Sequence, residues 1–435
     1  MAKIPQLAFF SWEQVEPLGD LERLQLVFDA LPDESLMQCL ERDRGKGRND
    51  YPIRAMWNSL LAGIVFQHPT IETLRRELLR NGQLRHLCGF RPAVVPPPSV
   101  YTRFLQRLLP YEAQLDQMFD ALVEALRQSL PSFAEQLAMD GKAIPSFAPH
   151  ANKNTTPDGR RDLDADYGIK RYHGQHPDGK PWEKLVRWFG YKIHLLVDSQ
   201  YELPIAWTVT PASVADITEA PTLLDQLAKR HPLALQAARV FTADKGYDSK
   251  ALIVQLWDHY HIKPVMDIRN MWKDGEATHV LPGYENVVFD YAGTVSCDDP
   301  STGVKRTMAN GGFEHDRSTL KKLCPVEVSG GVCDGAAECS VKHPLRIALD
   351  EDRRIFTPID RASYKWKREY AHRTAVERVN SRLDVSFGFE LHTIRGLKKM
   401  RLRCGLALIV MLAMALGRIQ TNQPDRLRSL VQKAG

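Results

Sequence analysis

The sequence lacks any apolar run long enough to cross a bilayer. Its longest, Cys404–Gly417, holds 14 residues, short of the ~20 that a spanning helix needs. A buried core helix is expected there, and no membrane partner. The opening stretch MAKIPQLAFFSWEQVEP lacks the charged start and long apolar core of a secretory signal. Cysteine is scarce and odd in number, seven in 435 residues, which speaks against a disulfide framework and for a reducing, cytoplasmic setting. There is no internal repeat and no low-complexity tract, so repeat and solenoid architectures are excluded. A strong net charge is also missing, since the whole chain sums to only +5.

The charge is unevenly placed, however. From Arg361 onward there are 16 Lys and Arg against 5 Asp and Glu, a balance of 16 − 5 = +11, which leaves about −6 for the rest. A basic end of this kind fits a polyanionic partner. Apolar residues make up 43% of the chain, enough to build a sizeable core in two or three domains.

Residues from about 20 to 130 read as helical. IRAMWNSLLAGIVFQ (53–67) and TIETLRRELLRN (70–81) repeat apolar residues at three- and four-residue spacing. The prolines of VVPPPS interrupt the pattern, and helix is expected to resume after Ser99 as N-cap. After LPSF (130–133) the texture changes to strands. EQLAMDGKAI gives a short strand ending on Asp140, and a long polar loop follows. GYKIHLLVD (190–198) and LPIAWTVT (203–210) form a hairpin around SQYE. DITEAPTLLDQLAKR is an amphipathic helix, ARVFTADKGYDS a strand that ends at Asp244, SKALIVQLWDHY a helix, and IKPVMDIR a further strand. The order predicts a mixed α/β sheet with an antiparallel edge, and ligands collect beyond the carboxyl ends of such strands. The stretch 281–340, with eight glycines and four of the seven cysteines, breaks the rhythm and reads as an insertion.

YAHRTAVERVNSRLD (370–384) reads as one helix. At 100° per residue, Tyr370, Arg373, Glu377, Asn380 and Asp384 share a face, while Val376, Val379 and Leu383 lie on an apolar flank. A solvated surface helix would carry the same letters. So would a helix delivering Glu377 to a phosphodiester. Asp384 lies ~10 Å along the axis from Glu377, too far to share one small metal site. Two strand-end aspartates and a helical glutamate suit hard divalent ions, which prefer oxygen ligands. Two such ions can activate a nucleophile and stabilise a leaving oxygen, with cations holding the nucleic-acid backbone.

AMDGKAI, FTADKGYDS and YAHRTAVERVNSRLD resemble the three acidic motifs of DDE transposases from bacterial insertion sequences. The last is similar to that family's signature helix, where tyrosine is followed by arginine three residues on, glutamate four further and lysine seven further. Tyr370, Arg373 and Glu377 match, whereas Asp384 stands where lysine is usual. The helical region with YPIRAMWNSLLAGIVFQHPTIETLRRELLRN and PPPSVYTRFLQRL looks like the domain that precedes the catalytic core in many such enzymes, and the resemblance spans roughly 45 to 420.

The resemblance implies a ribonuclease-H-like mixed sheet with flanking helices. An all-helical N-terminal domain (1–130) would bind element ends or dimerise. The catalytic core (131–271 and 361–420) would be interrupted by a cysteine-containing insertion (272–360), with a tail at 421–435. Asp140, Asp244 and Glu377 would hold two Mg²⁺ ions, with Mn²⁺ able to substitute. Tyr370, Arg373 and Asn380 would contact DNA, and Arg382, Lys398 or Lys399 would replace the missing lysine. The implied activity is cleavage of double-stranded DNA at element ends and strand transfer into target DNA, in a nucleoid-associated homodimer assembled on DNA. A non-catalytic DNA-binding descendant is the alternative.

Three further readings concern smaller features. Cys297, Cys324, Cys333 and Cys339 could hold Zn²⁺, with His315 or His343 as substitutes, or remain unlinked thiols. DLDADYG (162–168) imitates the start of a calcium loop, but its glycine comes one place late and His173 stands where the closing glutamate belongs, so a solvated loop is expected. Trp272 could stack on an unpaired base or pack in a seam. The run RGLKKMRLR (395–403) is a candidate DNA-backbone stripe.

Overall fold

The computed structural model describes residues 19–46, 49–150, 160–341 and 344–428, with the side chains of 172 and 173 excepted. Seven helices come first: α1 (Glu22–Ala30), α2 (Glu34–Arg44), α3 (Ile53–Val65), α4 (Ile71–Arg80), α5 (Gly82–Cys88), α6 (Pro98–Leu108) and α7 (Glu112–Ser129). Thr70 caps α4 and forms a reciprocal pair with Thr73. α6 starts earlier than the sequence suggested. Pro98 occupies its first turn and Pro97 is the N-cap, a position where proline's missing N–H costs nothing. Asp33 is buried and accepts from Arg54 and from Trp57 Nε1, each at 2.7 Å, which pins the α1–α2 turn onto α3.

The sheet follows: β1 (Gln136–Pro145), β2 (Asp166–Gln175), β3 (Pro181–Asp198), β4 (Leu203–Pro211), then α8 (Asp216–Arg230), α9 (Pro232–Ala237), β5 (Val240–Ala243), α10 (Lys250–Val254) and β6 (Lys263–Met266). The strands lie in the order β4-β3-β1-β5-β6, with β2 on the first half of β3. β3 runs antiparallel to β1 and β4, whereas β1, β5 and β6 are parallel. This is the mixed α/β sheet with an antiparallel edge that the element order implied. Asp140 lies in mid-strand, since β1 continues to Pro145. β3 begins nine residues before the expected Gly190, because its first half has β2 as a partner.

Between β6 and the next long helices, seven short strands form two small antiparallel sheets: β7 (His279–Val280), β8 (Val287–Phe289), β9 (Val295–Asp298) and β10 (Lys305–Thr307) in one, β11 (Ala309–Glu314), β12 (Thr319–Leu323) and β13 (Leu345–Ala348) in the other. A short helix α11 (Pro325–Ser329) lies between β12 and β13. This segment has its own core around Leu281, Val287, Val295, Leu320, Ile347 and Phe356. Then come α12 (Tyr364–Ala371), α13 (Thr374–Phe387) and α14 (Leu397–Gln420).

α14 is the helix expected at Cys404–Gly417. It is the one described helix long and apolar enough to cross a membrane, and 89% of its apolar window is buried inside the fold. It is apolar around its whole circumference because it is enclosed on all sides. It packs on α7, α1 and β4, with Gly405 against Trp207 and Gly417 against the backbone of Leu26. One continuous core therefore runs from the N-terminal helices into the sheet. The change of texture at 130–133 is a change of secondary structure and not a gap in packing.

Candidate active site

The parallel register of β1 and β5 pairs Gln136 with Val240, Leu137 with Phe241 and Ala138 with Thr242. Continued two residues further, the same register sets Asp140 opposite Asp244. By then β5 has ended at Ala243 and the chain turns through Lys245–Tyr247. Asp244 caps that turn by accepting from the Gly246 N–H at 2.7 Å. Asp140 Oδ1 accepts from the Gly141 N–H at 2.8 Å. Burial pushes the Asp140 carboxyl up to about 6. Lys170 and the Gly141 N–H work against the rise, and Asp244 and Asp216 add to it. A desolvated carboxylate among other carboxylates is a place where a cation gains most.

α13 lies over β1 and β3. Val376, Val379 and Leu383 are fully buried beneath it, as its apolar flank required. Glu377 is exposed on its first turn and pairs with Arg373 at 2.7 Å. Arg373 lies 5.6 Å over the Tyr370 ring, which stacks on Trp366 at 4.6 Å. Burial would lower the Arg373 pKa, but Glu377, Tyr370 and Asp140 hold it above its ordinary value. Arg373 thus lies between the helical and strand-borne acids. Further along the helix Asp384 pairs with Lys142 at 2.5 Å. Lys142 is two residues from Asp140 and shares its side of the strand. The expected lysine on the helix is absent, and a lysine on the strand stands opposite its replacement.

The helix is not continuous. α12 ends at Ala371 and α13 starts at Thr374. His372, Arg373, Ala375 and Val376 donate three residues back, to Glu369, Tyr370, His372 and Arg373. This tighter pitch means that Tyr370 and Glu377 belong to different helices, so the shared face holds only from Arg373 onward.

Asp216, which the sequence pattern did not single out, opens α8 on the other side of Gly141. A methyl group on Gly141 would fall 2.5 Å from Asp216 Oδ1. Lys192 Nζ lies 3.1 Å from the same oxygen and His194 Nδ1 3.5 Å from it. Burial takes His194 down to about 4, with Asp216 opposing and Lys192 assisting. The Tyr247 hydroxyl is buried without a hydrogen-bond partner. Burial first, then Asp216, Asp140 and Asp244, hold it well above its usual range. Glycine directly after the strand aspartate was the available signal for Asp216.

Among the described residues no three His, Cys, Asp or Glu side chains lie close enough together to hold a metal ion. The acids share a neighbourhood but do not close on one point, and Glu377 is turned toward Arg373. Asp140 and Asp244 nevertheless fit a divalent ion, as adjacent oxygen donors of which one is desolvated.

The remaining candidates divide. Lys398 and Lys399 are exposed at the start of α14, and Lys399 lines a cleft of about 480 Å³ with His68, Arg395 and Arg403. Asn380 Oδ1 is buried without a partner. Arg382 is largely buried against Glu202, whose backbone oxygen it also contacts. Trp272 has one face stacked on His279 at 3.7 Å and 9°. Asp162 is buried and accepts from Tyr191 at 2.6 Å and Ser146 at 2.8 Å. Asp164 accepts from the Leu397 N–H at 2.9 Å. That run fastens the loop to α14 and is not a calcium loop.

Cys297, Cys324, Cys333 and Cys339 gather without forming a closed set. Burial and then the other three thiols push Cys297 up to about 11. Cys333 Sγ donates to Asp299 at 3.3 Å, and Asn286 donates to Cys339 Sγ at 3.4 Å. His315 packs on Phe313 at 4.9 Å, and His343 lies outside the described residues.

The mixed sheet, with acids on neighbouring strands under a long helix, is the setting of an enzyme of the metal-dependent nuclease and transposase class, and the family comparison supplies that class. The family model of the transposase DDE domain matches residues 132–413, well over half of the chain, and the chain belongs to that family. It is a DDE transposase, of a family that acts on DNA with divalent metal ions. No curated protein matches it. Among solved structures it is similar to a cryo-electron-microscopy structure of the piggyBac transposase synaptic complex with hairpin DNA, at 11% identity and a TM-score of 0.37, over 95% of this chain and 79% of that one.

Proposed function

We propose that this transposase cuts double-stranded DNA at the ends of its own insertion sequence and joins those ends to target DNA. Asp140, Asp244 and Glu377 would hold two Mg²⁺ ions, with Mn²⁺ as a substitute. The observation that carries the reading is the β1–β5 register, which brings Asp140 and Asp244 to adjacent positions under the helix bearing Glu377. The ions, when bound, would supply activation of the attacking oxygen and stabilisation of the leaving one.

The chain's own residues do the rest. Glu377, paired here with Arg373, would be the helix's metal ligand, and the Arg373 guanidinium beside it would meet a phosphate. Tyr370, stacked on Trp366, backs that guanidinium. Asn380, one turn along from Glu377 on α13, would add a contact to DNA. Lys398 and Lys399, exposed at the start of α14, would replace the helix lysine in holding the DNA backbone. In the insertion, the thiols of Cys297, Cys324, Cys333 and Cys339 would take Zn²⁺. Two element ends require a homodimer assembled on DNA, with the N-terminal helices (1–130) serving end binding or dimerisation.

The test uses plasmid DNA carrying the gene's flanking ends, the wild type and Asp244→Asn, with and without Mg²⁺. Mg²⁺-dependent cutting at the ends that is lost in the variant is the expected result. Equal binding with no cutting by either protein would transfer the chain to non-catalytic DNA binding.

A further inference from the structure

β1 stops pairing at Pro145, opposite Gly190, yet residues 181–189 of β3 continue with β2 alone. The result is a two-stranded ribbon, β2 with the first half of β3, roughly 30 Å long at ~3.3 Å per residue. Such a ribbon has no core and is marginal by itself in water. Two cross-strand pairs support it. Trp188 lies across Gly168 and Trp182 across Gly174, so closely that a methyl group on either glycine would fall 2.2 or 2.5 Å from the indole. Aromatic rings laid over facing glycines stiffen a ribbon without needing burial.

Its surface is both apolar and basic. Tyr167, Ile169, Trp182 and Leu185 are exposed. Arg171 has only a 3.8 Å approach to Glu183, and Lys184 and Arg187 pair with no carboxylate among the described residues. Lys170 adds a further cation midway along the ribbon, opposite Val186 on β3. Cations along a free edge discourage strand-to-strand pairing with a second copy and attract a polyanion.

We infer that this ribbon is a DNA-docking arm that lies in the major groove of the duplex the protein holds. A major groove admits a two-stranded ribbon. The inference rests on the transposase reading for the choice of duplex DNA.

The test measures binding of duplex DNA carrying the element ends by fluorescence anisotropy at increasing KCl, using full-length protein. Lys184→Ala/Arg187→Ala alters only exposed side chains. It should lose on the order of tenfold in affinity and flatten the slope of log K on log salt by about 2, near 0.9 for each phosphate no longer neutralised. Lys184→Arg/Arg187→Lys should retain the wild-type slope, and so should Asp244→Asn. If wild type binds but never cuts, the catalytic reading falls while the slope still decides the arm. Identical slopes for the alanine variant and wild type would overturn the proposal, as would a variant whose only change is loss of a dimer in sedimentation.

Discussion

Lys322 and Asp360 form an ion pair with side-chain exposures of 2% and 3%. Lys322 lies on β12 of the insertion, and Asp360 stands just ahead of α12. The Asp360 Oδ1 accepts from the Ala362 N–H at 3.0 Å. Its backbone oxygen accepts from Ser363, whose hydroxyl in turn caps α12 through the Trp366 N–H at 3.1 Å. The pair therefore couples the insertion to the helix that carries Tyr370. Lys322→Met leaves a buried carboxylate without its cation, a loss of ~3–5 kcal/mol. Lys322→Met/Asp360→Asn removes the orphaned charge and keeps the acceptor for Ala362, so it should recover about half of that loss or more. Urea unfolding followed by tryptophan fluorescence is the assay, since Trp272 and Trp366 lie on the two sides of the seam. A loss below ~1 kcal/mol in the single variant, or a double variant no more stable than the single, would refute the reasoning.

Other expected outcomes are independent of that pair. Gly141→Ala would set a methyl 2.5 Å from Asp216 Oδ1 and force that side chain aside. Cutting at element ends should fall at least ~10-fold, while a thermal melt shifts little, and unchanged cutting would remove Asp216 from the site. Gly417→Ala sets a methyl 2.8 Å from the Leu26 carbonyl oxygen and should cost ~1–3 kcal/mol in denaturant unfolding. Asp198 accepts from the Ala134 N–H at 2.8 Å and from the Tyr201 N–H at 2.5 Å, and burial raises its pKa to about 6. Its contribution to stability is complete below the unfolded pKa near ~3.9 and is lost as pH rises through the folded value. Relative to Asp198→Asn, wild type should lose on the order of 3 kcal/mol between acid and neutral pH, and a difference that stays flat with pH would contradict this.

The helices α3, α4 and α8 were legible because each alternates apolar and polar residues at the helical period. Val376, Val379 and Leu383 declared the buried side of α13 in the same way. The first half of β3 was not legible, because neither of its faces is buried and its letters carry no apolar alternation. The break between α12 and α13 has no glycine or proline to announce it. Arg382 read as a free cation because its partner Glu202 is 180 positions away in the chain. Asp140 and Asp244 were read as strand-end acids, which holds for Asp244 after β5 but not for Asp140, which lies within β1, and their adjacency came only with the parallel register. Asp216 went unnoticed because a helix-opening aspartate ordinarily serves the helix dipole, and only the missing side chain of Gly141 shows what else it approaches.

The position of α14 bears on how the protein is made. It is the last long helix of the described chain, yet it fills the space between the N-terminal helices and β4. Domains ordinarily consolidate in the order of synthesis, but here the earliest helices and the sheet have no complete surface to close on until about residue 420 has emerged. An interrupted translation product, even one that already carries Asp140, Asp244 and Glu377, leaves apolar faces of α1, α7 and β4 open to proteolysis. The N-terminal helices and the sheet thus share a core that α14 completes.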